Sequence, residues 1–140
     1  MSAMTPHHFA LNAVERYYAC FNDGDHAGML ALLADDIAHD INQGKRETGR
    51  EAFARFLKRM DAHYQERVVD LVVMASEDGS RAAAEFRILG RYLRTDEGLP
   101  EARGQNYDLP VGAFFALADG HITRVSNHYN LQDWIAQVHA

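Results

Sequence analysis

Hydrophobic periodicity changes near Tyr64, from nearly four residues before it to two after it. In the first half, Phe9, Ala13, Tyr17 and Phe21 stand at helical spacing behind Thr5 and Pro6, an N-cap followed by a first-turn proline. This predicts a first helix ending near Asn22, Asp23 and Gly24. Asp25 then caps a second helix whose apolar face is Met29, Leu30, Leu32 and Leu33, and a short strand follows over residues 37–41. Thr48 with Glu51 three residues later has the pattern of a capping box, and Phe53, Phe56, Leu57 and Met60 form the buried stripe of a third helix. Beyond Tyr64, β-rich runs cover residues 66–75, 81–93, 105–117 and 121–130, separated by turn signals at 77–80 and 118–120 and a polar connection at 94–104. A closing helix is expected over 131–138. Helices first and an antiparallel meander afterwards exclude a parallel βαβ sheet, so the class is α+β, with three N-terminal helices covering one curved antiparallel sheet.

Alternation sorts the strand faces. Ala82, Ala84, Phe86, Ile88 and Tyr92 share one face, which should lie under the helices, and Arg81, Glu85, Arg87 and Arg91 share the other. The next strand is apolar on both sides. Phe114 and Ala116 with Asp108, Pro110 and Gly112 are assigned inward, leaving Tyr107, Leu109, Val111, Ala113 and Phe115 as an apolar strip that a second subunit would cover, so a homodimer is expected. On the last strand Val125, Asn127 and Tyr129 point inward and His128 outward. Phe9, Tyr17, Phe21, Leu33, Phe56, Met60, Phe86, Ile88, Phe114 and Tyr129 are expected to line one cavity.

Length and charge narrow the partners. The 140 residues, 47% of them hydrophobic, suit a single domain over residues 1–140. A net charge of −6 argues against nucleic acid and anionic membranes and favours a small molecule. Residues 1–8 lack an apolar run and no later stretch reaches the roughly 20 apolar residues of a membrane span, so a cytoplasmic protein is expected. The single cysteine, Cys20, reads as a buried thiol in a reducing compartment. No His-x-x-x-His pair, Cys-His cluster or glycine-rich dinucleotide turn is present, so neither metal nor cofactor is expected. Lys45, Arg46 and Arg50 read as a solvated loop rather than a phosphate cradle.

Taken in order, Arg16-Tyr17, Gly24-Asp25, Ala34-Asp35-Asp36, His39-Asp40, Gly49-Arg50-Glu51 with Phe56, and Asp119-Gly120 make the chain resemble the ketosteroid isomerases and SnoaL-like polyketide cyclases. These belong to the cone-shaped nuclear-transport-factor-like (cystatin-like) superfamily. The resemblance implies Asp40 as a base beside a ketone and Tyr17 as hydrogen-bond donor to the enolate oxygen. The family's second acid falls at Gly112 and its supporting tyrosines at Leu33 and Leu57, so Asp108 is considered as a replacement acid. Phe21, Phe56, Met60, Phe86, Ile88, Phe114, Asn127 and Tyr129 are the expected ligand contacts. A carboxylate in an apolar pocket has its pKa raised toward that of a useful general base, and a phenol stabilises charge developing on oxygen. Asp40 equally suits a strand-end residue bonded to its own loop. The expected function is cofactor-free proton transfer at carbon, of isomerase, cyclase or dehydratase type, on an apolar oxygenated ketone or polyketide-like molecule. The rivals are a non-catalytic binding module of the same fold and an epoxide-hydrolase-like activity.

Overall fold

The computed structural model describes residues 4–139. Residues 1–3 of the terminal stretch read above lie outside the described residues. Helix α1 spans Pro6–Asn22, and the Thr5 side chain accepts a hydrogen bond from the His8 backbone N–H. Its buried stripe is Ala10, Ala13, Val14, Tyr17, Tyr18 and Cys20. The stripe is rotated from the predicted one: Phe9 is exposed on the helix and does not line the central cavity. Asp25 caps α2 (His26–Ala31) through the Gly28 N–H at 2.8 Å.

Strand β1 (Leu33–Asp40) begins earlier than expected, and Leu33 is a fully buried core residue instead of a helix or cavity residue. A short strand β2 (Arg46–Thr48), which the sequence pattern did not single out, folds back on it. Thr48 is therefore strand, and no capping box forms. Helix α3 (Arg50–His63) is instead entered through Gly49 at φ 104°, a conformation open to glycine and strained for other residues, with no side-chain cap.

The long strands β3 (Tyr64–Ala75), β4 (Arg81–Tyr92), β5 (Asn106–Ala118) and β6 (His121–His128), followed by α4 (Leu131–His139), match the expected α+β plan closely. They form one curved six-stranded sheet ordered β2-β1-β6-β5-β4-β3. All pairings are antiparallel except β1 with β6, which is parallel. On β4 the predicted inner face, Ala82, Ala84, Phe86, Ile88 and Tyr92, is buried as expected.

The assignment on β5 is reversed. Ala82 faces Phe115, Ala84 faces Ala113, Phe86 faces Val111 and Ile88 faces Leu109 across the ladder. Directly opposed residues in a sheet point to the same side, so the inner face of β4 carries the odd-numbered residues of β5 inward with it. Tyr107, Leu109, Val111, Ala113 and Phe115 are thus core, and Phe114, 49% exposed, sits on the outer face. The five-residue strip proposed for a subunit contact is already occupied by the protein's own interior.

Candidate functional site

A cavity of about 1290 Å³ lies between the inner sheet face, α1 and α3. Of the expected ligand contacts, Phe21, Phe56, Met60, Phe86, Ile88, Asn127 and Tyr129 line it, together with Tyr17. Phe114 does not, being on the opposite side of the sheet.

Neither predicted aspartate reaches the cavity. Asp40 is bound by the Arg46 guanidinium at 2.6 Å, with Arg124 at 3.7 Å. The hydrogen bond from Arg46 holds its carboxyl below the usual carboxylate range, opposite to the expected rise. The physical reason is the two-residue alternation of β1: the buried Leu33, Ile37 and His39 share one parity, so Asp40 is turned to the other face, where the arginines bind it. Asp108 faces out and pairs with Arg87 at 2.8 Å. Its backbone, not its carboxylate, has the structural job, since Gln137 bonds both its N–H and its C=O and clamps α4 onto β5.

His39 takes the inward place beside Asp40. It is 2% exposed, packs against Phe53 and Phe56 with ring centroids 4.6 Å away, and has Asn127 Nδ2 at 3.4 Å from its Nε2. Its Nδ1 is buried without a partner among the described residues. Burial pushes its pKa down to about 4, so the imidazole is neutral at pH 7. Tyr17 packs edge-on to Tyr18, Phe53 and Phe115, and burial raises its phenol well above the ordinary value. Its hydroxyl bonds to no described residue, yet is not sealed by protein atoms.

The titratable group that the sequence reading missed is Glu66, on the cavity wall formed by β3. The hydroxyl of Tyr107 donates to its Oε2 at 2.5 Å, while its other oxygen has no partner among the described residues and is open to the cavity. Burial raises the Glu66 carboxyl above the usual range, against the lowering effect of the Tyr107 bond. Burial and the adjacent carboxylate keep the Tyr107 phenol protonated. Tyr129, raised by burial and by Glu66, lines the same space. A signal was available: Glu66 shares strand parity with Tyr64 and Val68, both buried, so a carboxylate interrupts an apolar face.

A second carboxylate behaves differently. Asp96, in the connection between β4 and β5, is buried and accepts from Tyr64 Oη at 2.8 Å and Arg59 Nη2 at 3.1 Å. Burial alone would raise it, but these bonds outweigh burial and hold it below the ordinary value. Tyr92 donates to the Pro100 carbonyl and accepts from the Asp96 N–H, so the connection is pinned over one end of the cavity, with Leu99 in its lining. Among the described residues no cluster of three or more His, Cys, Asp or Glu is arranged to hold a metal, and no helix is long and apolar enough to cross a membrane.

A curved sheet wrapped by helices around a cavity with a few convergent polar groups defines the nuclear-transport-factor-like fold. Residues 14–125 match the model of the SnoaL-like domain, and the chain belongs to that family. It is similar to a candidate polyketide cyclase from Xanthomonas campestris pv. campestris at 56% identity, over 96% of this chain and 99% of that one, with a TM-score of 0.93. A candidate polyketide cyclase from Pseudomonas putida is 54% identical over 97% and 99% of the two chains, with a TM-score of 0.90. An NTF2-like protein of unknown function from Burkholderia pseudomallei shares the fold at 17% identity, over 94% and 98% of the chains, with a TM-score of 0.80. No curated protein matches the sequence.

Proposed function

We propose that the cavity binds a small, largely apolar, oxygenated molecule of ketone or polyketide-like class and moves a proton between its carbons without a cofactor. Glu66 is the base. The observation that carries this reading is a half-buried carboxylate on an apolar wall, one oxygen held by Tyr107 and the other open to the ligand space. In the proposed step the open oxygen of Glu66 takes a proton from the carbon next to a carbonyl. The C–H electron pair becomes the enolate double bond, and the carbonyl π pair moves onto oxygen. The Tyr17 hydroxyl, which bonds to no described residue, donates a hydrogen bond to that oxygen. Where the substrate carries a β,γ double bond the enolate extends over it, and Glu66 returns the proton to the γ-carbon as the carbonyl re-forms; in a saturated ketone the proton returns to the α-carbon. The likeness to candidate polyketide cyclases supports the substrate class.

The test is deuterium exchange at the α-carbon of a small cyclic ketone, followed by NMR in heavy water. Glu66→Gln should lower exchange by roughly 10²-fold or more, since only the base is removed. Asp40→Asn should leave it unchanged. Equal exchange in wild type and Glu66→Gln would overturn the reading in favour of a non-catalytic binding module.

We further propose that the protein pairs with a second copy through the outer face of β3, β4 and β5. Phe114, Met74 and Val72 are each about half exposed there, at 49%, 51% and 52%. Beside Phe114 lies a shallow depression of about 370 Å³, bordered by Met74, Ala83, Glu85, Pro110 and Gly112. A knob next to a hollow on one face fits a two-fold contact, in which each copy's Phe114 enters the other's depression.

A further inference from the structure

Glu66, Gly90 and Tyr107 form one row across three strands: Glu66 pairs with Gly90, and Gly90 with Tyr107. All three border the cavity. Glu66 and Tyr107 are therefore two strand spacings apart, about 10 Å between backbones, beyond the reach of an ordinary cross-strand pair. Their hydrogen bond exists because the Tyr107 side chain lies across β4, over position 90. A methyl group at that position would overlap Cζ, Cε2 and the hydroxyl of the Tyr107 ring. Gly90 is not among the positive-φ glycines, so its backbone suits any residue, and what its missing side chain serves is the ring. Trp134 of α4 packs edge-on to the same ring at 5.8 Å, and the Gln137–Asp108 clamp holds α4 in place next to it.

We propose that Gly90 and Tyr107 are positioning residues for Glu66: the bare backbone at position 90 lets the Tyr107 phenol cross β4 and hold one carboxylate oxygen, which directs the other at the ligand. The inference rests on the reading of Glu66 as the base. A phenol that stays protonated donates permanently, so Oε2 is fixed as an acceptor and the proton traffic is left to Oε1. The same bond favours the charged form of the carboxylate and opposes the effect of burial.

Titration of the Glu66 carboxyl carbon by ¹³C NMR, on the full chain without ligand, tests this independently of turnover. Tyr107→Phe removes the donor and should raise the Glu66 midpoint. Gly90→Ala, by displacing the ring, should raise it in the same direction. The double variant Gly90→Ala/Tyr107→Phe should titrate no higher than Tyr107→Phe alone, because both changes break one bond. If Gly90→Ala folds poorly, Gly90→Ala/Tyr107→Leu should recover the lost stability, since the ring that the added methyl would strike is gone. An unmoved midpoint in Tyr107→Phe, additive shifts in the double variant, or no recovery with Leu would each overturn the inference. Loss of ketone exchange in Glu66→Gln alongside an unmoved midpoint in Tyr107→Phe would leave Glu66 as base and remove only its positioning pair. A moved midpoint with exchange intact in Glu66→Gln would do the reverse.

Discussion

His39 carries a pH dependence that can be worked out in sign. Its pKa falls from 6.5 in the unfolded chain to about 4 in the folded one, because burial disfavours the imidazolium; the Asp40 charge opposes this weakly. Between these values the unfolded chain binds a proton that the folded chain refuses, so stability is full above pH 6.5 and is lost as pH falls toward 4. The whole loss is about 3 kcal/mol. Urea unfolding of wild type and His39→Leu at pH 6.5 and pH 4.5 should show a steeper loss in wild type, and equal losses would remove His39 as the source. Asp40, Asp96 and Asp78, all held below the usual carboxylate range, add losses of the same sign at lower pH and are common to both proteins. That His39 and not Asp40 points inward follows from the parity it shares with the buried Leu33 and Ile37, a count that was overridden by the resemblance that placed Asp40 beside the ligand. Tyr17, by contrast, was legible, since an aromatic on the buried stripe of a well-capped helix can face only the interior.

The long strands were legible as elements and only partly as surfaces. On β4, arginines and a glutamate alternate with apolar residues, so one face is marked as wet and the other as dry. On β5 the two faces are both apolar, and composition alone leaves their assignment open until pairing with β4 decides it. Strand β2 was missed because three charged or hydroxylated residues, two of them exposed, carry no periodicity of their own. Neighbouring phenylalanines on β5 give a direct check on the corrected faces. Phe115 is 0% exposed, so Phe115→Ala should cost about 3–5 kcal/mol, whereas Phe114→Ala in dilute solution should stay within about 0.5 kcal/mol. Chemical denaturation measures both, and comparable losses would contradict the assignment.

For the whole molecule, the cavity and the outer face are separate surfaces of one sheet, so association through Phe114 leaves the Glu66 wall untouched. Phe114→Asp would place a charge in the centre of the proposed contact. Light scattering at micromolar concentration should report a dimer for wild type and a monomer for this variant, and a monomeric wild type would dispose of the pairing. Ketone exchange should persist in the monomeric variant, because every group assigned to the proton transfer comes from one chain. The resemblance read from the sequence reached the family because scattered landmarks in the right order suffice for a fold. It did not reach Glu66, because the landmarks do not encode which carboxylate interrupts the apolar wall of the cavity.

The parallel seam between β1 and β6 bears on how the chain is made. Asp40 finds its partner Ser126 only after nearly all of the intervening sequence has been synthesised, and among the described residues β2 pairs with β1 alone. During translation the β1–β2 hairpin therefore waits with a bare edge while the β3–β4–β5 meander assembles next to it in sequence order. Closing that seam is a long loop closure, which places it late in folding and makes the waiting edge the stretch most open to pairing with another nascent chain.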